Sequence, residues 1–289
     1  MTASTIPDSP FPIPATIAFI GGGNMARSLV GGLVARGVRG DSIRVGEPAE
    51  AARAALAADF GVAAFADGPE AVEGADAWVL AVKPQVMRQV CESLAPIART
   101  RRPLVVSIAA GITTAQIARW LGGGEGTGAP AIVRCMPNTP ALLGAGVTGL
   151  FATPAVDAQG RAQAQGLLAS AGATAWIGDE ALMDAVTAVS GSGPAYVFLL
   201  AEAMEDAARR QGLPDATART LVLQTVLGAA RMLTESGEPP AELRRRVTSP
   251  GGTTQAAVET FEAGGLRALV DAAIANAAER GRQLSAAND

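Results

Sequence analysis

Histidine is absent from the 289 residues, and lysine and tyrosine occur once each, as Lys83 and Tyr196. Without imidazole, hydrolase triads and the histidine-dependent 2-hydroxy acid dehydrogenases are excluded. The two cysteines, Cys91 and Cys135, fall in helix-like and strand-like contexts and are too few for a disulfide framework or a metal site. They read as small buried hydrophobes in a reducing compartment, and no metal is expected. Charged residues make up only 17% and the net charge is −4, with no basic patch, which argues against a nucleic-acid partner. The densest basic run, Arg244-Arg245-Arg246, sits in a helical pattern and reads as a solvated helix face. No stretch approaches the roughly eighteen uninterrupted apolar residues of a membrane span. Residues 1–15 carry Pro7, Pro10, Pro12 and Pro14 and no positive side chain, so they form a flexible Pro-rich leader rather than a signal peptide. A cytoplasmic location follows from these traits.

What is abundant is apolar: 49% of the chain, enough for a sizeable core. Short apolar runs at 16–20, 43–45, 62–64, 77–82, 104–108, 132–136, 147–151 and 173–177 read as strands. Helical patterns at 24–36, 49–58 and 86–95 separate the first of them. Strands alternating with helices predict parallel pairing, right-handed crossovers and a doubly wound α/β sheet. Beyond 178 strand-like runs stop, and helical periods follow at 181–189, 194–211, 215–236, 241–247, 254–263 and 266–285. The expected organisation is a Rossmann-like dinucleotide-binding domain over 16–178 and an all-helical domain over 179–289. The Gly-rich stretch 122–128 is expected to be a loop.

Gly21, Gly23 and Ala26 form Gly-x-Gly-x-x-Ala between the first strand and its helix. Such glycines let the backbone turn tightly against a pyrophosphate, whose charge meets free N–H groups at the helix start. Glu47 follows the second strand, where an acid accepts hydrogen bonds from ribose hydroxyls and repels a 2′-phosphate; the alternative is a carboxylate turned to solvent. The run Ala81-Val82-Lys83-Pro84-Gln85 closes the fourth strand at the carboxyl edge, where doubly wound sheets bind ligands.

Val247 to Thr254, reading Val-Thr-Ser-Pro-Gly-Gly-Thr-Thr, joins two helices. Ser249 is placed to cap the second, leaving N–H groups around Gly251, Gly252 and Thr253 free to hold a carboxylate while Thr254 offers a hydroxyl to a nitrogen. The plainer alternative is a Ser/Pro/Gly helix start with no ligand. Ser190-Gly191-Ser192-Gly193-Pro194 is a second small-residue loop before a helix. Tyr196 has Leu200 rather than a lysine four residues on, unlike a short-chain dehydrogenase, and reads as a packing residue.

Taken together, these segments resemble the pyrroline-5-carboxylate reductase family from about Thr16 to Leu284. The resemblance rests on 21–25, 81–85, 107–111, 134–140 (Arg-Cys-Met-Pro-Asn-Thr-Pro), 190–196 and, most specifically, 247–254. It implies reduction of 1-pyrroline-5-carboxylate to L-proline with NADPH or NADH, and a helical dimerisation domain interlocked with a second copy. Dimers in this family often assemble into decamers. It further implies cofactor contacts from Gly21, Gly22, Gly23, Asn24, Met25, Val82, Lys83, Pro84, Ala109 and Gly111, to which the position after the second strand adds Glu47. Ser249, Gly251, Gly252, Thr253 and Thr254 would hold the substrate, with Ser249 and Thr254 in catalytic roles. One departure stands out: members usually place Asn after Asp67, and this chain has Gly68. With Glu47, that leaves NADH and NADPH both open.

Three rival functions share parts of this pattern. A 3-hydroxyacid dehydrogenase needs a lysine on its helical domain, and none exists beyond Lys83. A related imine or ketimine reductase would share the architecture and the missing imidazole. A nonenzymatic dinucleotide sensor explains the glycine turn but gives no reason for the 249–254 cradle.

Overall fold

The computed structural model describes residues 11–123 and 128–288. Most of the Pro-rich leader and residues 124–127 of the Gly-rich loop therefore lie outside the described residues. Eight strands form one sheet: β1 (Ile17–Ile20), β2 (Ile43–Gly46), β3 (Ala63–Phe65), β4 (Ala77–Leu80), β5 (Leu104–Ser107), β6 (Ile132–Met136), β7 (Gly146–Ala152) and β8 (Gly172–Trp176). Their order is β3-β2-β1-β4-β5-β6-β7-β8, a doubly wound arrangement that reverses direction of travel beside β1. The central strands β1, β4 and β5 are covered on both faces and read as near-continuous apolar runs. Ile17 and Phe19 point to one core with helices α1 (Asn24–Ala35) and α2 (Glu50–Phe60). Ala18 and Ile20 point to the other, with α3 (Gly68–Val72), α4 (Pro84–Arg101) and α5 (Thr114–Trp120). Helix α6 (Ala158–Ala169) completes the first of these layers.

The expected all-parallel pairing fails at one place. Strands β6 and β7 pair antiparallel, with Arg134 opposite Phe151. The link from Met136 to Gly146 holds only a 3-10 turn, Thr139–Leu143, too short for a crossover helix. Helices α3, α5 and α6 lie where no apolar period marks them. Each is started by a side chain instead: Asp67, Thr113 and Asp157 accept the N–H groups of Glu70, Gln116 and Gly160.

The helix expected over 181–189 is broken into a 3-10 turn, a short α7 (Met183–Val186) and a π-helical turn at Thr187–Gly191. Longer helices follow: α8 (Gly193–Arg210), α9 (Asp215–Glu235), α10 (Pro240–Arg246), α11 (Thr253–Ala263) and α12 (Leu266–Ala287). Packing divides the chain into two compact units. One runs through Ser192 and takes in the chain from Ala277 onward; the other is Gly193–Asn276. Within the second, α8 and α9 lie side by side. No helix among the described residues is long and apolar enough to cross a membrane.

Candidate active site

The carboxyl ends of β1, β2 and β4 meet in register, with Ile20 beside both Gly46 and Leu80. The turn that leaves β1 there is shaped by what glycine omits. Gly21 has φ +100°, and a Cβ on it would lie 2.7 Å from the Ala81 carbonyl oxygen. Its own N–H donates to Gly46 O at 2.8 Å, tying the turn to β2. Gly23 precedes α1 without any side-chain cap, and a Cβ there would meet nothing within 4 Å. The first helical bond runs from Arg27 N–H to Gly23 O, so the N–H groups of Asn24, Met25 and Ala26 have no partner within the helix.

This open helix start borders a cleft of about 690 Å³. Of the residues expected at a cofactor, Gly21, Gly23, Glu47, Val82 and Lys83 line it together. Lys83 forms the start of α4 and has no ion-pair partner among the described residues. Gln85, Gln89 and Ser93, four residues apart on α4, present one polar stripe to the same cleft. That i, i+4 spacing was the available signal for a wall that motif reading does not single out. Ala109 and Gly111 do not line it. They sit in the turn after β5, where Gly111 has φ +69° and its carbonyl accepts a bond from Asn288 Nδ2. A dinucleotide fits this cradle: bare backbone, unpaired N–H groups and the helix dipole converge where a pyrophosphate would lie.

Two neighbouring motifs turn out to be braces. Arg134 on β6, with its side chain 5% exposed, pairs with Glu180 at 3.1 Å and Asp184 at 3.8 Å. Glu180 also accepts the N–H and hydroxyl of Thr114, at 2.8 and 2.6 Å. Asn138 accepts Val147 N–H at 2.9 Å and donates to Ser190 O at 3.1 Å, holding the π-helical turn. Among the described residues no group of acidic or sulfur side chains assembles into a metal site.

The 247–254 loop lies in the second unit, and its details differ from expectation. Ser249 does not cap α11; Gly252 does, without a side-chain bond. The reason is local. Gly251 at φ +72° turns the chain, so Ser249 O accepts Gly252 N–H at 3.0 Å while Gln255 Oε1 takes Gly251 N–H at 2.7 Å. The N–H groups left open are those of Thr253, Thr254 and Gln255, because the first helical bond is Ala256 N–H to Gly252 O. Ser249 is exposed and Thr254 half-buried beside them. Arg245 and Arg246 both pair with Glu242, Arg246 also with Glu238, and Arg244 pairs with Glu262, as a solvated face should. Tyr196, expected to pack, is 37% exposed within its own chain.

A doubly wound sheet with an uncapped glycine turn at its switch point is the architecture of a Rossmann-like dinucleotide-binding protein. Residues 16–111 match the model for "NADP oxidoreductase coenzyme F420-dependent", and 180–284 match "Pyrroline-5-carboxylate reductase dimerisation". Pyrroline-5-carboxylate reductase of Pseudomonas aeruginosa is 52% identical over 93% of this chain and 96% of its own. The enzyme of the same name from Glycine max is 41% identical, covering 95% and 99%. Among solved structures, a pyrroline-5-carboxylate reductase from Coxiella burnetii superposes with a TM-score of 0.89 at 42% identity, covering 94% and 99%. One from Plasmodium falciparum, with NADP bound, gives 0.81 at 27%, covering 95% and 100%. The chain belongs to the pyrroline-5-carboxylate reductase family.

Proposed function

We propose that this chain reduces 1-pyrroline-5-carboxylate to L-proline at the expense of NAD(P)H, the last step of proline biosynthesis. The observation that carries the reading is the pairing, on one chain of this family, of the uncapped glycine turn with the open start of α11. Gly21 to Met25, Glu47 and 82–84 would hold the dinucleotide, with Ala109 and Gly111 at its nicotinamide end. When bound, the reduced nicotinamide supplies a hydride to the imine carbon. The N–H groups of Thr253 and Thr254 would bind the carboxylate with Ser249, Gly251 and Gly252 shaping the loop, and the Thr254 hydroxyl would meet the ring nitrogen.

This division of labour suits a chain without histidine. A protonated cyclic imine is already electrophilic, and hydride addition leaves a neutral amine, so no side chain must move a proton in the same step. What the residues contribute is position: reacting carbons held about 3–3.5 Å apart and one face of the ring presented. In this reading 16–178 is the dinucleotide-binding domain, 179–289 the substrate-binding and dimerisation domain, and 1–15 contributes nothing. The apolar side chains exposed on α8 and α9 support a homodimer through the helical region, and dimers would assemble further into a decamer. Two buried free thiols accord with a cytoplasmic location.

The test is loss of reduced-nicotinamide absorbance with pyrroline-5-carboxylate and either cofactor. Rapid oxidation with formation of proline is expected. Oxidation only with other cyclic imines would replace the substrate, and none with any imine, from folded protein that binds dinucleotide, would overturn the reading.

A further inference from the structure

Glu47 occupies an unusual position for a side chain at a cleft rim, because both of its oxygens are already engaged by backbone. Oε2 accepts Gly22 N–H at 2.9 Å and Oε1 accepts Ala49 N–H at 3.0 Å. Its stem lies against the bare Cα of Gly22, where a Cβ would come within 3.2 Å of Glu47 Cγ. The carboxylate is therefore fixed one residue from the glycine turn, at the end of β2, before any ligand arrives. A carboxylate offers about four acceptor sites, and the backbone uses two, so two remain for hydroxyl donors.

No arginine is among the residues that line the rest of the wall. The charged residues lining the cleft are Glu47, Asp67 and Lys83. Asp67 starts α3 and accepts Glu70 N–H at 2.9 Å. The cations nearest in sequence, Arg44 and Arg53, do not line the cleft. Arg44 donates to the carbonyls of Ala71 and Glu70, at 2.7 and 2.8 Å, and Arg53 Nη1 to those of Glu47 and Pro48, at 2.8 and 2.7 Å. Gly68 beside Asp67 adds no side-chain donor.

We propose that Glu47, pinned by Gly22 and Ala49 beside a cleft without a facing arginine, selects the unphosphorylated adenosine ribose and so makes this chain an NADH-preferring member of its family. The proposal rests on the dinucleotide reading above and names which dinucleotide. A free 2′-hydroxyl donates to the held carboxylate. A 2′-phosphate would place up to two negative charges against it, and such a like-charge contact costs affinity.

The experiment is calorimetric titration of the full-length chain with ADP-ribose and with its 2′-phosphorylated analogue, in the native protein and in Glu47→Gln. Glutamine keeps an oxygen for Gly22 N–H and removes the charge. The native protein should bind ADP-ribose at least about tenfold more tightly, and Glu47→Gln should reduce that ratio to roughly threefold or less. The ratio of kcat/KM for NADH over NADPH should shift in parallel, mainly through KM. Equal affinity, or tighter binding of the phosphorylated analogue by the native protein, overturns the proposal without recourse to any variant. An unchanged ratio in Glu47→Gln overturns the role of this residue. Selective binding of ADP-ribose without pyrroline turnover would sustain the proposal while sinking the reductase reading, and binding of neither compound would remove both.

Discussion

Thr254 carries a hydroxyl with no hydrogen-bond partner among the described residues, half-buried at the first turn of α11. If it meets the ring nitrogen of a charged imine, its loss removes one charge-assisted hydrogen bond. Thr254→Ala should therefore lower kcat/KM for pyrroline-5-carboxylate by roughly tenfold to a hundredfold. An unchanged value would remove Thr254 from the substrate site. The thiols make a different kind of residue-scale prediction. Burial first, and the neighbouring Glu92 second, push Cys91 from 9.0 up to about 12, and burial alone pushes Cys135 higher still. In each case the folded chain holds the proton more tightly than the unfolded one. Stability is thus unaffected by these groups below pH 9 and falls as pH rises from 9 toward 12. Alkylation by iodoacetamide near neutral pH should be slow in the native protein and rapid in denaturant; fast native labelling would contradict this burial.

Some of this detail was legible in the chain itself and some was not. The turn at Gly21 could be read because its positive φ and its 2.7 Å approach to Ala81 admit little but glycine. The contact of Glu47 with Gly22 could not, since it depends on how β1 and β2 align across 25 residues. Ser249 misled because a serine before a helix looks like a cap, and only the left-handed turn at Gly251 shifts the helix start.

At the scale of elements, Arg134 holds β6 to the segment that follows β8. Its guanidinium is buried against Glu180 and Asp184, and Glu180 reaches on to the first residue of α5. Removing one member of such a group strands the others in a poorly solvated site. Arg134→Ala should cost about 3–5 kcal/mol of unfolding free energy in a denaturant titration, and Glu180→Gln less because amide hydrogen bonds can persist. A cost under about 1 kcal/mol for Arg134→Ala would mean that the pair is no better than a surface one. The same elements explain where apolar pattern reading stops. It finds β1 and β4, which are apolar throughout because both faces are covered, and β2 and β5, which are mostly so. It passes over α6, whose Ala, Gln and Gly residues show little periodic contrast and whose start is set by Asp157. It also treats β7 as one more parallel strand, because direction is decided by the length of the Met136 to Gly146 link and not by composition.

For the whole molecule, the second unit poses an energetic problem that one chain cannot solve. Among its described residues, Gly193–Asn276 buries only Glu205, Ala218 and Val222. Phe198, Leu199 and Leu269 remain 65%, 66% and 68% exposed. Ordering a backbone residue costs about 1–2 kcal/mol, which burial of so few side chains does not offset. The apolar surface of α8, α9 and α12 must therefore be covered for this unit to persist, and a second copy is the occupant that the family's dimerisation domain supplies. Folding is then coupled to association, so the thermal midpoint should rise with protein concentration, as it does when the partner subunit is a ligand of the native state. Leu199→Glu should place a charge in the covered face, give monomers by sedimentation at micromolar concentration, and lower the midpoint. A midpoint independent of concentration, or a Leu199→Glu protein that still sediments as a dimer, would show that the α8 face is not what the second copy covers.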